Sequence, residues 1–391
     1  MIKKIFCITM AILMLFCFAS CNNDGIDAET TEASETSALP KNSKDDPKNN
    51  KNETEGQGLQ TVTYPLNSRS WGVKTLGVRT IESDTQINCD WSCSGREINI
   101  AHYGGDITFS VGSSHSCHFK VFVDGELVKG PKIPTQYHVI DSDKDEIVLK
   151  DIPEGEHTIR LVKATGYTLA RAQIYSVAFA GEILEQVNEE DKLYIEFIGS
   201  NICCGYGTVG NNTASYMDQD GTFAYPYLVA ETLGADYSIT ALQDHGLLTG
   251  VPGIQAGYTY ASPLRNSETK YAFARKADVV VINLGTEDYS ASADQRKIEE
   301  FATAYMQLIN TVKENNGKDC KIVCLYNAVN DNFATVLNAM LSNRQDQGIY
   351  LLKLDRALEK DPDIYAKYPT ILDNRGYAAA VVDFLNDNVL K

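Results

Sequence analysis

An all-β sandwich of jelly-roll type followed by an α/β domain with a largely parallel sheet is the fold that the sequence predicts. Two patterns carry this expectation. Over residues 61–188, short runs such as ITFSVG, HFKVFVDGELV, EIVLKDI, HTIRLVKA and QIYSVAFAG alternate apolar and polar residues with a period of two. Over residues 189–391 the strands become continuous apolar runs (LYIEFI, DYSITAL, DVVVIN, KIVCLY, IYLLKL), set between long segments of helical spacing.

The chain opens with Lys3 and Lys4, then the apolar run IFCITMAILMLFCFA, then Ser20 and Cys21. A short apolar stretch with a basic flank and small residues at its end reads as a secretory signal, too short to span a bilayer comfortably. FASC is similar to a bacterial lipoprotein box. Residues 1–21 are therefore expected to be a lipoprotein signal peptide, with Cys21 carrying lipid and the protein exported, anchored to the bacterial membrane on its extracytoplasmic side. Residues 22–60 are rich in Asn, Asp, Glu, Lys, Ser and Thr and nearly free of large apolar side chains. Such a segment buries too little surface to offset its ordering entropy, and reads as a polar, disordered linker.

In the β region, turn signals separate the alternating runs: Gly104-Gly105, Asp124-Gly125 and Pro153-Glu154-Gly155. Asp-Gly between alternating runs is a hairpin signal, and regularly spaced short strands point to a sandwich. In the α/β region, TFAYPYLVAETL has helical spacing and ends at Gly234, a good terminator. A second helix opens at Ser292-Ala-Asp-Gln295 in a capping-box pattern, and RGYAAAVVDFLNDNVL forms the last. Ligands of such sheets lie beyond the carboxyl ends of the strands, where IEFIGSN and VVINLGTED both end.

Composition limits the partners. Apolar residues make up 43% and charged residues 22%, an ordinary globular balance. The net charge of −17 argues against nucleic acid, whose phosphates need Lys and Arg. It equally leaves the lipid on Cys21 as the sole expected membrane contact. Beyond Cys21 and the signal, seven cysteines remain (Cys89, Cys93, Cys117, Cys203, Cys204, Cys320, Cys324), an odd number that leaves at least one thiol unpaired. His115, Cys117 and His118 in HSCHF suggest zinc, but a strand sends Cys117 and His118 to opposite faces and no second ligand pair follows. No cofactor or metal is expected. Trp71, Trp91 and the 21 tyrosines offer aromatic faces for sugar rings.

IEFIGSNICCGYG resembles the first signature of the SGNH (GDSL) hydrolases, usually Gly-Asp-Ser-Ile, and VVINLGTEDYS resembles their Gly-Thr-Asn-Asp block. The likeness is closer to the family-two carbohydrate esterases, acetyl esterases in which a β-sandwich precedes the SGNH domain. VFVDGELVKG, GEHTIRLVKA and AETLGADYSITAL are similar to stretches of that family, and the resemblance spans roughly residues 70–390. It implies a flavodoxin-like, three-layer αβα second domain and an acetyl esterase site.

Carried over residue by residue, that site is degenerate. The family's serine nucleophile falls on Asn201 and the acidic residue before it on Ser200. A Ser-Gly-x-Gly stretch falls on Gln243, Asp244, His245 and Gly246, so an oxyanion-donating glycine becomes Asp244. The side-chain donor, normally Asn, falls on Glu287, an acceptor. The catalytic histidine falls on Tyr368, with Ala366 near the place of its acidic partner. His245 is the last histidine of the chain, so no later imidazole can serve as base.

The resemblance thus implies the architecture of an acetyl esterase without its catalysis, and a cleft of Ser200, Asn201, Asp244, His245, Glu287, Asp288 and Tyr368 that binds a carbohydrate or cell-wall glycan. Two alternatives stay open: an acetyl xylan esterase-like deacetylase using shifted residues such as Ser200 and His245, with Cys203 and Cys204 nearby, and a structural or protein-binding surface module. Asp244, Glu287 and Asp288 also raise the possibility of a cation site or of paired carboxylates.

Overall fold

The structure, a computed structural model, describes residues 60–391 apart from 68–71, 78, 133, 187–191, 211–214, 265, 289–294, 328–330 and 355–367. The expected signal with Cys21, nearly all of the linker, Trp71, Ala366 and the Ser292 capping box lie outside the described residues.

Among the described residues eleven strands come first: β1 (Val62–Pro65), β2 (Val73–Leu76), β3 (Ile81–Glu82), β4 (Ile87–Cys89), β5 (Gly95–Ser113), β6 (Cys117–Val123), β7 (Glu126–Val128), β8 (His138–Ile140), β9 (Asp145–Lys163), β10 (Ala172–Phe179) and β11 (Gly181–Leu184). All are joined by hydrogen bonds into one network whose main path runs β3-β4-β10-β5-β9-β6-β7. Their alternation places Ile98, Ile100, Ile107, Phe109, Ile147, Leu149, Ile159 and Leu161 in one buried core. Asp124-Gly125 closes the β6–β7 hairpin with positive φ at both residues, as a two-residue I′ turn requires.

Two expected turns are not strand ends. Gly104-Gly105 and Pro153-Glu154-Gly155 lie inside β5 and β9, which pair antiparallel along most of their 19 residues each. The register slips between Gly105 and Ile107, and Gly104 and Gly105 have φ of 96° and 101°. Glycine here lets the strand kink through a bulge without breaking the ladder.

From β12 (Tyr194–Gly199) the chain becomes α/β: α1 (Tyr225–Leu233), β13 (Asp236–Ala241), the short α2 (Ile254–Gly257), a β14–β15 hairpin (Tyr260–Ser262, Asn266–Lys270), β16 (Val279–Asn283), α3 (Gln295–Asn316), β17 (Lys321–Asn327), α4 (Asp331–Leu341), β18 (Ile349–Leu354) and α5 (Ile371–Phe384). Five parallel strands stand in the order β13-β12-β16-β17-β18. One face is buried with α1 and α5, through Val229, Ala230, Ala378 and Val381. The other is buried with α3 and α4, through Phe301, Tyr305, Leu308, Val312, Leu337 and Leu341. This is a three-layer arrangement with flavodoxin-like strand order, whose switch point lies between β12 and β16. Among the described residues no helix is long and apolar enough to cross a membrane.

The β part and the α/β part share a buried ionic contact. Arg79, between β2 and β3, donates from Nε and Nη2 to Glu196 Oε1 of β12 at 3.0 and 2.7 Å, and from Nη1 to the Tyr258 carbonyl. Tyr258 Oη donates to Glu196 Oε2 at 2.6 Å, and the guanidinium lies against the Tyr258, Tyr271 and Phe273 rings. Both charges are thereby removed from water yet hydrogen bonded, the condition under which a buried pair persists.

Candidate functional site

The site sits at the switch point. β12 ends at Gly199, and residues 201–204 turn at once into a 3₁₀ helix beginning at Asn201. Gly199 is required by the closeness of that turn: a Cβ there would lie 2.1 Å from Cys203 Sγ. Ser200 and Asn201 are each 2% exposed. Cys203 and Cys204 point into the core, and burial pushes both thiols up to about 12. Burial of both favours the neutral thiol and so disfavours either as a relocated nucleophile.

Asn201 is held at both ends of its carboxamide. Its Nδ2 donates to Glu287 Oε1 at 2.9 Å, and its Oδ1 accepts from the backbone N–H of Asp244 at 2.7 Å. The partners fix the orientation of the amide, because a carboxylate accepts and a backbone N–H only donates. Three sequence-singled residues from the ends of β12, β13 and β16 are therefore joined directly. Asp244 is exposed, with φ of 56°, a left-handed conformation that Asp tolerates better than most residues. Its carboxylate accepts from Gln243 Nε2 at 3.2 Å, and Gln243 Oε1 in turn accepts from Gln219 Nε2 and Thr168 Oγ1.

Asp288 does other work. Its carboxylate accepts the backbone N–H groups of Leu247, Leu248 and Thr249 at 2.7, 2.9 and 2.9 Å, clamping the loop that follows Asp244. Gly246 makes room for it, since a Cβ there would lie 2.4 Å from Asp288 Oδ2. Thr249 Oγ1 closes the circuit on the Glu287 carbonyl at 3.3 Å. Among the described residues no group of three or more His, Cys, Asp or Glu side chains is arranged to hold a metal ion.

His245 donates from Nδ1 to the Gln243 carbonyl at 2.7 Å, and its ring lies beside Gly250. Among the described residues no hydrogen bond joins His245 to Ser200. Tyr368 packs edge-on against Tyr206 at 4.7 Å, and the Tyr206 N–H bonds the Asn201 carbonyl, so Tyr368 reaches the turn through one intervening ring. Trp91 is 2% exposed with its Nε1 on the Ala261 carbonyl, and it is not a sugar platform. His118 and Cys117 are both fully buried, and His115 is exposed. Gln219 and Thr249 are not legible as site residues. Their only signal was position just after a strand or before a helix, which sequence does not distinguish from ordinary loop polarity.

Chemically, the turn presents the Asn201 carboxamide with one backbone donor aimed at it. The donor is already engaged by the Asn201 side chain, and a carboxylate stands on the amide's other flank. That pairing orients the amide, and neither of its two bonds involves a hydroxyl or an imidazole.

No family model matches the chain. A cellulase/esterase, CelE, of Acetivibrio thermocellus is 31% identical over 246 residues, 60% of this chain. The chain spans only 28% of that relative's length by this match. The solved family-two carbohydrate esterase from Clostridium thermocellum, in complex with cellohexaose, superposes with a TM-score of 0.69 at 25% identity, covering 81% of this chain and 98% of that one. An acetyl xylan esterase, Est2A, from the rumen bacterium Butyrivibrio proteoclasticus shares the fold with a TM-score of 0.70 at 14% identity, covering 84% and 98%. Sequence likeness to CelE and fold likeness over four-fifths of the chain converge, and the chain is similar to the family-two carbohydrate esterases.

Proposed function

We propose that the protein binds a neutral glycan through carbohydrate-esterase architecture that no longer hydrolyses acetyl esters. The observation that carries this reading is the Asn201 carboxamide, bonded at once to Glu287 and to the Asp244 N–H. An acyl oxygen entering the site would have to displace that amide, and the family's serine, which attacks the acyl carbon, and histidine, which takes the serine's proton, fall on Asn201 and Tyr368. His245 remains the last imidazole, and its Nδ1 is committed to a backbone carbonyl. The likeness to an esterase bound to cellohexaose favours a β-glucan-type oligosaccharide as ligand. The β part, residues 61–188, is read as a jelly-roll sandwich and residues 189–391 as the ligand domain. Export with a lipid on Cys21 and a polar tether over 22–60 would place the cleft at the cell surface.

The test measures acetate release from aryl acetate and acetylated xylan, together with cellohexaose binding by calorimetry. The expected result is no turnover and measurable binding. Turnover abolished by Ser200→Ala or His245→Ala would establish the shifted-residue deacetylase instead. Failure to bind across a panel of neutral glycans would remove the ligand assignment.

A further inference from the structure

The β part carries a second recess, remote in sequence from the cleft residues. It has a volume of about 710 Å³ and is lined by Gln86, Ser110, Lys144, Asp145, Glu146 and Tyr175, within the range of small-molecule sites. It lies on the solvent side of β4-β10-β5-β9, whose opposite face is buried through Ile87, Ile174, Phe109 and Ile147.

Three local features build it. Tyr175 is the residue at which β10 slips register against β5, and a bulge of this kind re-aims a side chain. Its hydroxyl donates to the Asp143 carbonyl at 3.1 Å. Gly112 in β5 permits the turn at residues 142–146 to close over the sheet, because a Cβ there would stand 2.2 Å from Asp143 O. The turn therefore forms one wall, Gln86 the other, and Ser110 with Tyr175 the floor.

The chemistry is mixed. Lysines on neighbouring surface are ion paired, Lys132 with Asp141 at 2.7 Å and Lys150 with Asp106 at 2.5 Å. Among the described residues Lys144 and Glu146 enter no ion pair, although both are exposed. A strand-like peptide is disfavoured, since β10, β5 and β9 already pair on both sides and present no open edge. An apolar ligand finds only one ring. A polyanion meets a chain of net charge −17. What fits is a ligand whose adjacent hydroxyls both donate to Glu146 and accept from Lys144 or Gln86, with a C–H face for the Tyr175 ring.

We infer that this recess is a second glycan site, binding a short neutral oligosaccharide independently of the Asn201 cleft. The test titrates cellohexaose, xylohexaose and mannohexaose into the full-length protein. The variants are Lys144→Ala/Glu146→Ala, groove-filling Ser110→Trp, and cleft-filling Thr249→Trp. Both groove variants should weaken binding of at least one hexaose tenfold or more, or lower its stoichiometry from two to one, with Thr249→Trp leaving that component intact. The double variant changes only exposed side chains, so a folding failure of Ser110→Trp does not blunt the test. Wild-type affinity and stoichiometry in both groove variants overturn the inference, as does absence of binding by the unmodified protein. Binding lost only in Thr249→Trp overturns it while upholding the cleft, and binding lost only in the groove variants does the reverse.

Discussion

The carboxamide oxygen of Asn201 accepts the backbone N–H of Asp244 at 2.7 Å, while the nitrogen of the same amide donates to Glu287 at 2.9 Å. One side chain thus links the segments that follow β12, β13 and β16 and engages the Asp244 N–H. A donor at one strand end and an acceptor at another are satisfied here by one side chain. Leaving a donor or acceptor without its partner costs free energy, so Asn201, Asp244 and Glu287 hold one another in place.

Reversion at one position should accordingly fail. Asn201→Ser restores a hydroxyl but frees Glu287 beside it and provides no imidazole. Aryl acetate hydrolysis by this variant should stay at the background of the unmodified protein. Turnover above that background that disappears in Asn201→Ser/His245→Ala would show that His245 reaches the turn.

Asn201→Asp should destabilise the protein in a pH-dependent way. It would replace the donor facing Glu287 with an oxygen 2.9 Å from Oε1, placing two carboxylates together. Their mutual repulsion raises the folded-state value of the pair above the ordinary carboxylate range of about 4. A raised acid is destabilising where it must ionise, so the loss, about 1–3 kcal/mol, is present at pH 7 and disappears as pH falls below about 4. Urea denaturation of both proteins at pH 7.5 and 4.5 checks it. An equal difference at the two values would refute the pairing.

Acid should act on the β part through His118. Its ring is buried, stacks on Tyr137 at 4.1 Å, and has no hydrogen-bond partner at either nitrogen among the described residues. Burial pushes its pKa down from 6.5 to about 4. The folded state therefore excludes a proton that the unfolded chain binds. Stability from this residue is intact above pH 6.5 and is lost as pH falls through 4, by roughly 3 kcal/mol in all. His118→Phe keeps the ring stack and should lose markedly less stability between pH 7 and 4. Identical acid profiles would assign the transition to other groups.

Much of this architecture is legible because local periodicity reports burial. DVVVIN and KIVCLY are strands buried on both faces, and TFAYPYLVAETL ends at Gly234, whose φ is 60°. What is not legible depends on contacts between distant residues. Arg79 and Glu196 are 117 positions apart and neither sits in a telling pattern. Gly104-Gly105 reads as a turn because its tolerance of positive φ is visible locally, whereas β9, which keeps it in a strand, is not. The capping box of α5 joins Thr370 and Asp373, a TxxD pattern that occurs as readily in loops as at helix starts. The family positions of the site are readable from resemblance. The bonds that tie Asn201 to Asp244 and Glu287 require the fold.

The Arg79–Glu196 pair offers a test of how the two parts of the protein are held together. Removing only the guanidinium leaves Glu196 buried, with Tyr258 Oη and Thr240 Oγ1 as its remaining donors. Arg79→Met should cost about 3–5 kcal/mol, the range for an uncompensated buried charge. Arg79→Met/Glu196→Gln removes both charges while keeping an acceptor for Tyr258, and should recover a substantial part of that loss. Denaturant midpoints of the three proteins, monitored at the shared unfolding transition, separate the possibilities. If the double variant is as unstable as the single one, the contact acts through the packing of Arg79 on Tyr271 and Phe273 and not through its charge.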